Sequence, residues 1–144
     1  MRYLDTSFLT PLIKQEATSE RVTRFVAGLP VGELTISHWT RVEFSSMLAR
    51  EVRVGGMDIL AADKANTLFD AIIAESFTVL LPAPAEFDLA RQYLARYESG
   101  LRAGDALHLA IACNHRATAI YSLDKLLIKA GTMFGLPVSA GASG

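Results

Sequence analysis

The sequence predicts an α/β fold, a three-layer sandwich whose central, mainly parallel sheet of four to five strands is flanked by helices. Three observations lead there. Short runs favouring strands alternate along the whole chain with longer stretches of helical apolar periodicity. The strand runs are separated by helix-length segments rather than tight turns, the spacing of parallel crossovers. With 144 residues, 51% of them hydrophobic, the chain suffices for one core burying roughly 70% of its unfolded surface.

The elements follow in order. Arg2–Asp5 reads as a strand and Ser7–Gln15 as a helix that tolerates Pro11. Thr18 or Ser19 caps a second helix, with Val22, Phe25, Val26 and Leu29 on one face, ended by Gly28, Pro30 and Gly32. Glu33–Ser37 is the second strand. His38–Arg53 is helical, Gly55–Gly56 breaks it, and a helix from about Asp58 to Glu75 completes a helical hairpin whose apolar residues suit a dimer surface. Phe77–Leu81, stopped by Pro82 and Pro84, is expected as a central strand.

Ala85–Glu98 is helical, Ser99–Gly104 a loop, and Asp105–His115 a helix apolar or small around most of its circumference, hence nearly buried. Ala119–Ser122 is a fourth strand, Asp124–Ala130 a helix, and Pro137–Val138 a short fifth strand. The expectation is a single domain over residues 1–138, followed by a small-residue tail, 139–144, without order.

Composition excludes several classes. No apolar run approaches the ~20 residues of a membrane span, although mean hydropathy is +0.27. An acid at position 5 interrupts any secretory leader, so a cytoplasmic protein is expected. The single cysteine, Cys113, reads as a small buried hydrophobe and excludes an internal disulfide. A net charge of −1 argues against nucleic-acid binding by bulk basicity. Arg41, Arg50, Arg53, Arg91, Arg96, Arg102 and Arg116 are nevertheless spread over several helices, and arginine suits bidentate phosphate contacts as well as ordinary ion pairs.

Four acids stand out by position. Asp5 ends the first strand in MRYLDTSFLT, Glu43 lies in the early turns after the second, Asp105 opens the apolar helix in RAGDALHLA, and Asp124 follows the fourth strand in IYSLDKLL. Singly, Asp5, Asp105 and Asp124 read as helix caps or first-turn acids, and Glu43 as a solvated residue paired with Arg50 or another arginine. Jointly they fall near one edge of the sheet, where parallel α/β folds gather ligands.

Two ionised carboxylates about 5 Å apart repel by roughly 3 kcal/mol at an effective dielectric near 20. Converging acids therefore require a cation or shared protons. An all-oxygen donor set, with no cysteine cluster, fits Mg2+ or Mn2+ better than zinc, and such ions support phosphodiester hydrolysis. His108 and His115 lie two helical turns apart, which allows a mixed metal site. A polar tip reaching past the helix edge is the plainer alternative for His108.

LDTSFL, a Glu after the second strand, GDALHLAIA and YSLD, in that order, resemble the PIN-domain ribonucleases, and the short form is most similar to the VapC toxins of toxin–antitoxin pairs. The resemblance spans residues 1 to about 138. It implies that Asp5, Glu43, Asp105 and Asp124 bind Mg2+, with Mn2+ as substitute. It also implies that Thr6 or Ser7, and Ser122 where Thr is more usual, support the acids or a bound water. An endoribonuclease acting on tRNA or rRNA, a homodimer and a cognate VapB-like antitoxin are implied with them. The alternative from another class is a catalytically silent PIN-like module binding RNA or protein, its acids serving as caps and ion-pair partners. A haloacid-dehalogenase-type phosphatase would need a second Asp where Ser7 stands, and a receiver domain would need an Asp where FTVLL runs into Pro82.

Overall fold

A computed structural model describes residues 1–141 of the chain. Five strands, β1 (Arg2–Leu4), β2 (Leu34–Ser37), β3 (Thr78–Leu80), β4 (Ala119–Tyr121) and β5 (Val138–Ser139), lie in the order β3-β2-β1-β4-β5. Every pairing is parallel. Helices therefore return the chain between strands. α1 (Thr6–Ile13) and α2 (Ser19–Ala27) precede β2, α3 (His38–Arg53) and α4 (Ile59–Ser76) precede β3, α5 (Pro84–Leu94) and α6 (Ala103–Asn114) precede β4, and α7 (Lys125–Met133) precedes β5.

Alternation along the strands divides the core into two layers of packing. Leu4, Ile36 and Tyr121 meet Phe8, Leu9, Val22, Phe44, Leu48 and Phe69 from α1 to α4. Tyr3 and Ile120 point the other way, onto Ala90, Leu109, Ile111 and Leu127 from α5 to α7. Both faces of the sheet are thus covered, giving three layers. Residues 106–112 of α6 are all buried, as its nearly uniform apolar circumference predicts.

The α3–α4 hairpin is set by local chemistry. Ser37 and Thr40 form a reciprocal capping box at the start of α3, satisfying two backbone N–H groups that the first turn leaves unpaired. Asp58 caps α4 by accepting from the Ala61 N–H at 2.7 Å. Phe44 and Phe69 stack between the two helices with ring centroids 4.1 Å apart.

Four expectations change. β3 pairs only with β2 and is an edge strand; the centre is β1, because the chain runs outward through β2 and β3 before crossing to β4. α5 stops at Leu94, and a single 3-10 turn, Tyr97–Ser99, follows. Arg96 leaves the helical region with φ −80° and ψ 77°, so the apolar Tyr97 projects into solvent, 88% exposed. α6 begins at Ala103, two residues ahead of Asp105, which stands in its first turn. Ser139, read as tail, belongs to β5, where its carbonyl accepts from the Ser122 N–H at 3.0 Å; residues 142–144 of that tail lie outside the described residues. Among the described residues, no helix is long and apolar enough to cross a membrane.

Candidate active site

The strand order puts a topological switch point between β1 and β4. Connections leave these neighbours in opposite directions, and a crevice opens at their carboxyl ends. Asp5 directly follows β1, and Ser122 and Asp124 follow β4. Asp5 is only 3% exposed. Its Oδ1 accepts from the Ser7 hydroxyl at 2.7 Å and from the Phe8 N–H at 3.1 Å, and its Oδ2 accepts from the Ser122 hydroxyl at 2.6 Å.

Each hydroxyl carries one hydrogen, so with both serines donating to Asp5 their mutual 3.2 Å approach is no third bond. Backbone donors fix both: Leu123 N–H to Ser7 Oγ at 2.8 Å, and Asp124 N–H to Ser122 Oγ at 3.0 Å. Burial raises the Asp5 carboxyl above its usual range, and the opposing pull of His108 and of these donors leaves that rise incomplete.

Glu43, in the second turn of α3, is held from α1 and α6. Its Oε1 accepts from the Thr6 hydroxyl at 2.6 Å and makes a very short contact with His108 Nε2. His108 is 1% exposed. Its Nδ1 lies 2.7 Å from the Tyr3 hydroxyl, which lies 2.9 Å from Ser37 Oγ. Burial would raise Glu43, yet the bond and charge of His108 and the Thr6 hydroxyl hold it below the ordinary carboxylate value. Burial would lower His108, but the Tyr3 oxygen and the Glu43 carboxylate outweigh it and push it up to about 10.

Neither histidine behaves as first read. His108 is no exposed tip: α6 lies too deep, and both its nitrogens are engaged. His115 stands at the far end of α6, where its Nε2 is 3.1 Å from Glu86 Oε1 on α5, so the two form no mixed metal site. Glu43 takes a histidine and a threonine rather than Arg50. Tyr3 is absent from the sequence-predicted site, and His108, three residues past Asp105, enters it only as part of a mixed metal site. For Tyr3 the available signal is the period-two alternation that turns it away from Leu4 toward α6.

Asp105 joins the group from the first turn of α6. Burial first, then the charges of Asp124, Asp5 and Glu43, against the pull of His108, raise its carboxyl to about 6. Asp124 caps α7, its Oδ1 accepting from the Leu126 N–H at 2.9 Å and the Leu127 N–H at 3.3 Å. The N-termini of α1, α6 and α7 thus each present positive dipole ends to an acid. For Asp5 and Asp124 the capping and site readings coexist.

Among the described residues, no three of the His, Cys, Asp and Glu side chains close on one point. An all-protein cage is therefore not what this donor set forms. It fits a hard ion held by one or two carboxylates and completed by water, the usual manner of Mg2+.

Beside Glu43, an open apolar groove of about 530 Å³ is lined by Trp39, Val42, Phe87, Leu94 and Leu107, with Arg91 also in its wall. The Trp39 Nε1 is buried there without a partner. Gly104 lies between this indole and Glu43: a Cβ at that position would stand 2.7 Å from Glu43 Oε2 and 3.3 Å from Trp39 Cζ2.

Comparison with known proteins agrees with this fold. No curated protein matches the chain. Among solved structures, the sarcin–ricin loop-cleaving toxin VapC20 of Mycobacterium tuberculosis superposes with a TM-score of 0.72 at 23% identity, covering 91% of this chain and 95% of that one. VapBC-1 from nontypeable Haemophilus influenzae gives 0.67 at 17% identity over 96% and 97%, and FitAcB from Neisseria gonorrhoeae 0.65 at 20% over 96% of each chain. The PIN-domain family model matches residues 2–132. A match of that extent, on a five-stranded parallel sheet with its acids at the switch point, makes this chain a member of the PIN-domain family.

Proposed function

We propose that the chain is a Mg2+- or Mn2+-dependent endoribonuclease, the toxin of a type II toxin–antitoxin pair that inhibits translation by cutting tRNA or rRNA in the cytoplasm. The observation that carries this reading is that Asp5 and Asp124 follow neighbouring strands at the switch point, with Asp105 near enough for the charges of Asp124, Asp5 and Glu43 all to act on its carboxyl. Such a cluster is costly without a cation. Asp5 and Asp105 are the proposed ligands, Glu43 orients water or holds a second ion, and Asp124 completes the shell. The ion, when bound, supplies Lewis acidity and a water of lowered pKa.

The protein's own residues do the positioning. Ser7 and Ser122 keep both oxygens of Asp5 in place, and Thr6 and His108 do the same for one oxygen of Glu43. Arg41, Arg102 and Lys125 are exposed on the elements that carry the acids, which suits local phosphate contacts despite the net charge of −1. VapC20 is described as cleaving the sarcin–ricin loop, which supports a structured RNA substrate.

The apolar groove supports a protein partner, proposed as a VapB-like antitoxin segment, and the exposed Ile59, Leu60 and Leu68 of α4 support a homodimer. The test is incubation of structured RNAs with the protein and Mg2+ or Mn2+. Wild type should cut and chelator should stop it, while Asp5→Asn and Asp105→Asn remain folded and inactive. Wild-type cleavage by either variant refutes the assignment.

A further inference from the structure

We infer that His108, locked by Tyr3, is a positioning residue for Glu43 that leaves Oε2 as the one oxygen of this carboxylate available to a cation or its water. The inference rests on the metal-dependent reading above and adds residues to it. A Glu side chain has three rotatable bonds, and on a helix surface its carboxylate samples many orientations. Here Oε1 is engaged twice, by the Thr6 hydroxyl at 2.6 Å and by His108 Nε2.

The imidazole cannot turn away. Its other nitrogen is 2.7 Å from the Tyr3 hydroxyl, the hydroxyl is 2.9 Å from Ser37 Oγ, and Ser37 caps α3, the helix that carries Glu43. The chain of contacts therefore runs from the central strand through α6 to the carboxylate and returns to the base of the same helix. All three residues are buried: Tyr3 and Ser37 fully, His108 to within 1%. Oε2 faces the space that the missing side chain of Gly104 leaves open.

Second partners that orient a ligating carboxylate typically account for about tenfold to a hundredfold in metal affinity. Calorimetric titration with Mn2+ in the absence of RNA tests this without using activity. His108→Leu should weaken binding about tenfold or more, and His108→Gln, whose amide N–H can reach Glu43 from nearly the same place, should restore most of it. Tyr3→Phe leaves the imidazole in place and should give a smaller loss in the same direction.

Wild-type affinity in His108→Leu overturns the inference, as does a Gln variant no better than Leu. If His108→Leu fails to fold, unchanged affinity in Tyr3→Phe overturns it instead. A wild type that takes up no Mn2+ overturns the metal-dependent reading itself and this inference with it, a result distinct from the other three.

Discussion

The Ser122 hydroxyl donates to Asp5 Oδ2 at 2.6 Å, joining the carboxyl ends of β4 and β1 across 117 residues of sequence. Both groups are buried, so the bond has no water to replace it. Ser122→Ala should destabilise the protein by about 1–3 kcal/mol, the cost of leaving a buried acceptor short of a donor. Urea denaturation at neutral pH checks this. The loss should shrink in an Asp5→Asn background, since the two changes act on one bond.

Asp105 makes stability depend on pH in an unusual direction for a carboxylate. Its folded value is raised to about 6 from an ordinary 3.8. The folded state therefore holds this proton more tightly than the unfolded chain. The resulting stabilisation is complete below about pH 3.8 and is lost as pH rises through about 6. In chelator, Asp105→Asn should melt above wild type at pH 7.5, and the gap should close as the pH falls below 6. With Mn2+ present the order should reverse at pH 7.5, because only the ionised carboxylate is a ligand.

Two helical glycines predict opposite outcomes for the same substitution. In a helix interior, Gly→Ala ordinarily stabilises by about 1 kcal/mol. At Gly131 of α7 a Cβ would overlap Val138 Cγ2 and approach Leu109 Cδ2 to 3.2 Å, so Gly131→Ala should lower the melting temperature by pushing α7 off β5. At Gly104 the nearest atom is Glu43 Oε2, the carboxylate oxygen that Thr6 and His108 leave unheld. Gly104→Ala should keep the wild-type melting temperature or raise it, while displacing Glu43 Oε2 and weakening Mn2+ binding.

Arg116 follows the end of α6 with φ 57°. The Ala117 N–H bonds the Ala112 carbonyl and the Arg116 N–H bonds the Cys113 carbonyl, each at 3.0 Å, the pairing that closes a helix through a left-handed residue. Glycine adopts that backbone without the side-chain clash that arginine meets. Arg116→Gly should raise stability by about 0.5–1 kcal/mol after the added freedom of the unfolded chain is subtracted, visible as a small rise in melting temperature.

What sequence could and could not reveal follows from the range of each interaction. Asp5, Asp105 and Asp124 were legible because each sits at a boundary between elements, and boundaries are written locally in capping residues and changes of periodicity. Their place at one edge of the sheet follows from one rule about parallel sheets. The edge position of β3 was not legible, since Val79 and Leu80 read the same whether one ladder or two is made.

The partners of His108 were hidden for a related reason. Inside ALHLAIA its neighbours describe only a buried helix, and its partners Tyr3 and Glu43 are 105 and 65 residues away. Glu43 had arginines at helical spacing on its own helix, and the contact that won came from another. Long-range polar pairing leaves no periodic trace.

Asp5 and Asp105 are proposed to share a divalent cation at the switch point between β1 and β4. Crystals grown with Mn2+ and measured at its absorption edge test it most directly. An anomalous peak touching the Asp5 and Asp105 carboxylates is expected, with water filling the remaining positions. A peak away from both carboxylates, or none in crystals whose mother liquor holds saturating Mn2+, would contradict it.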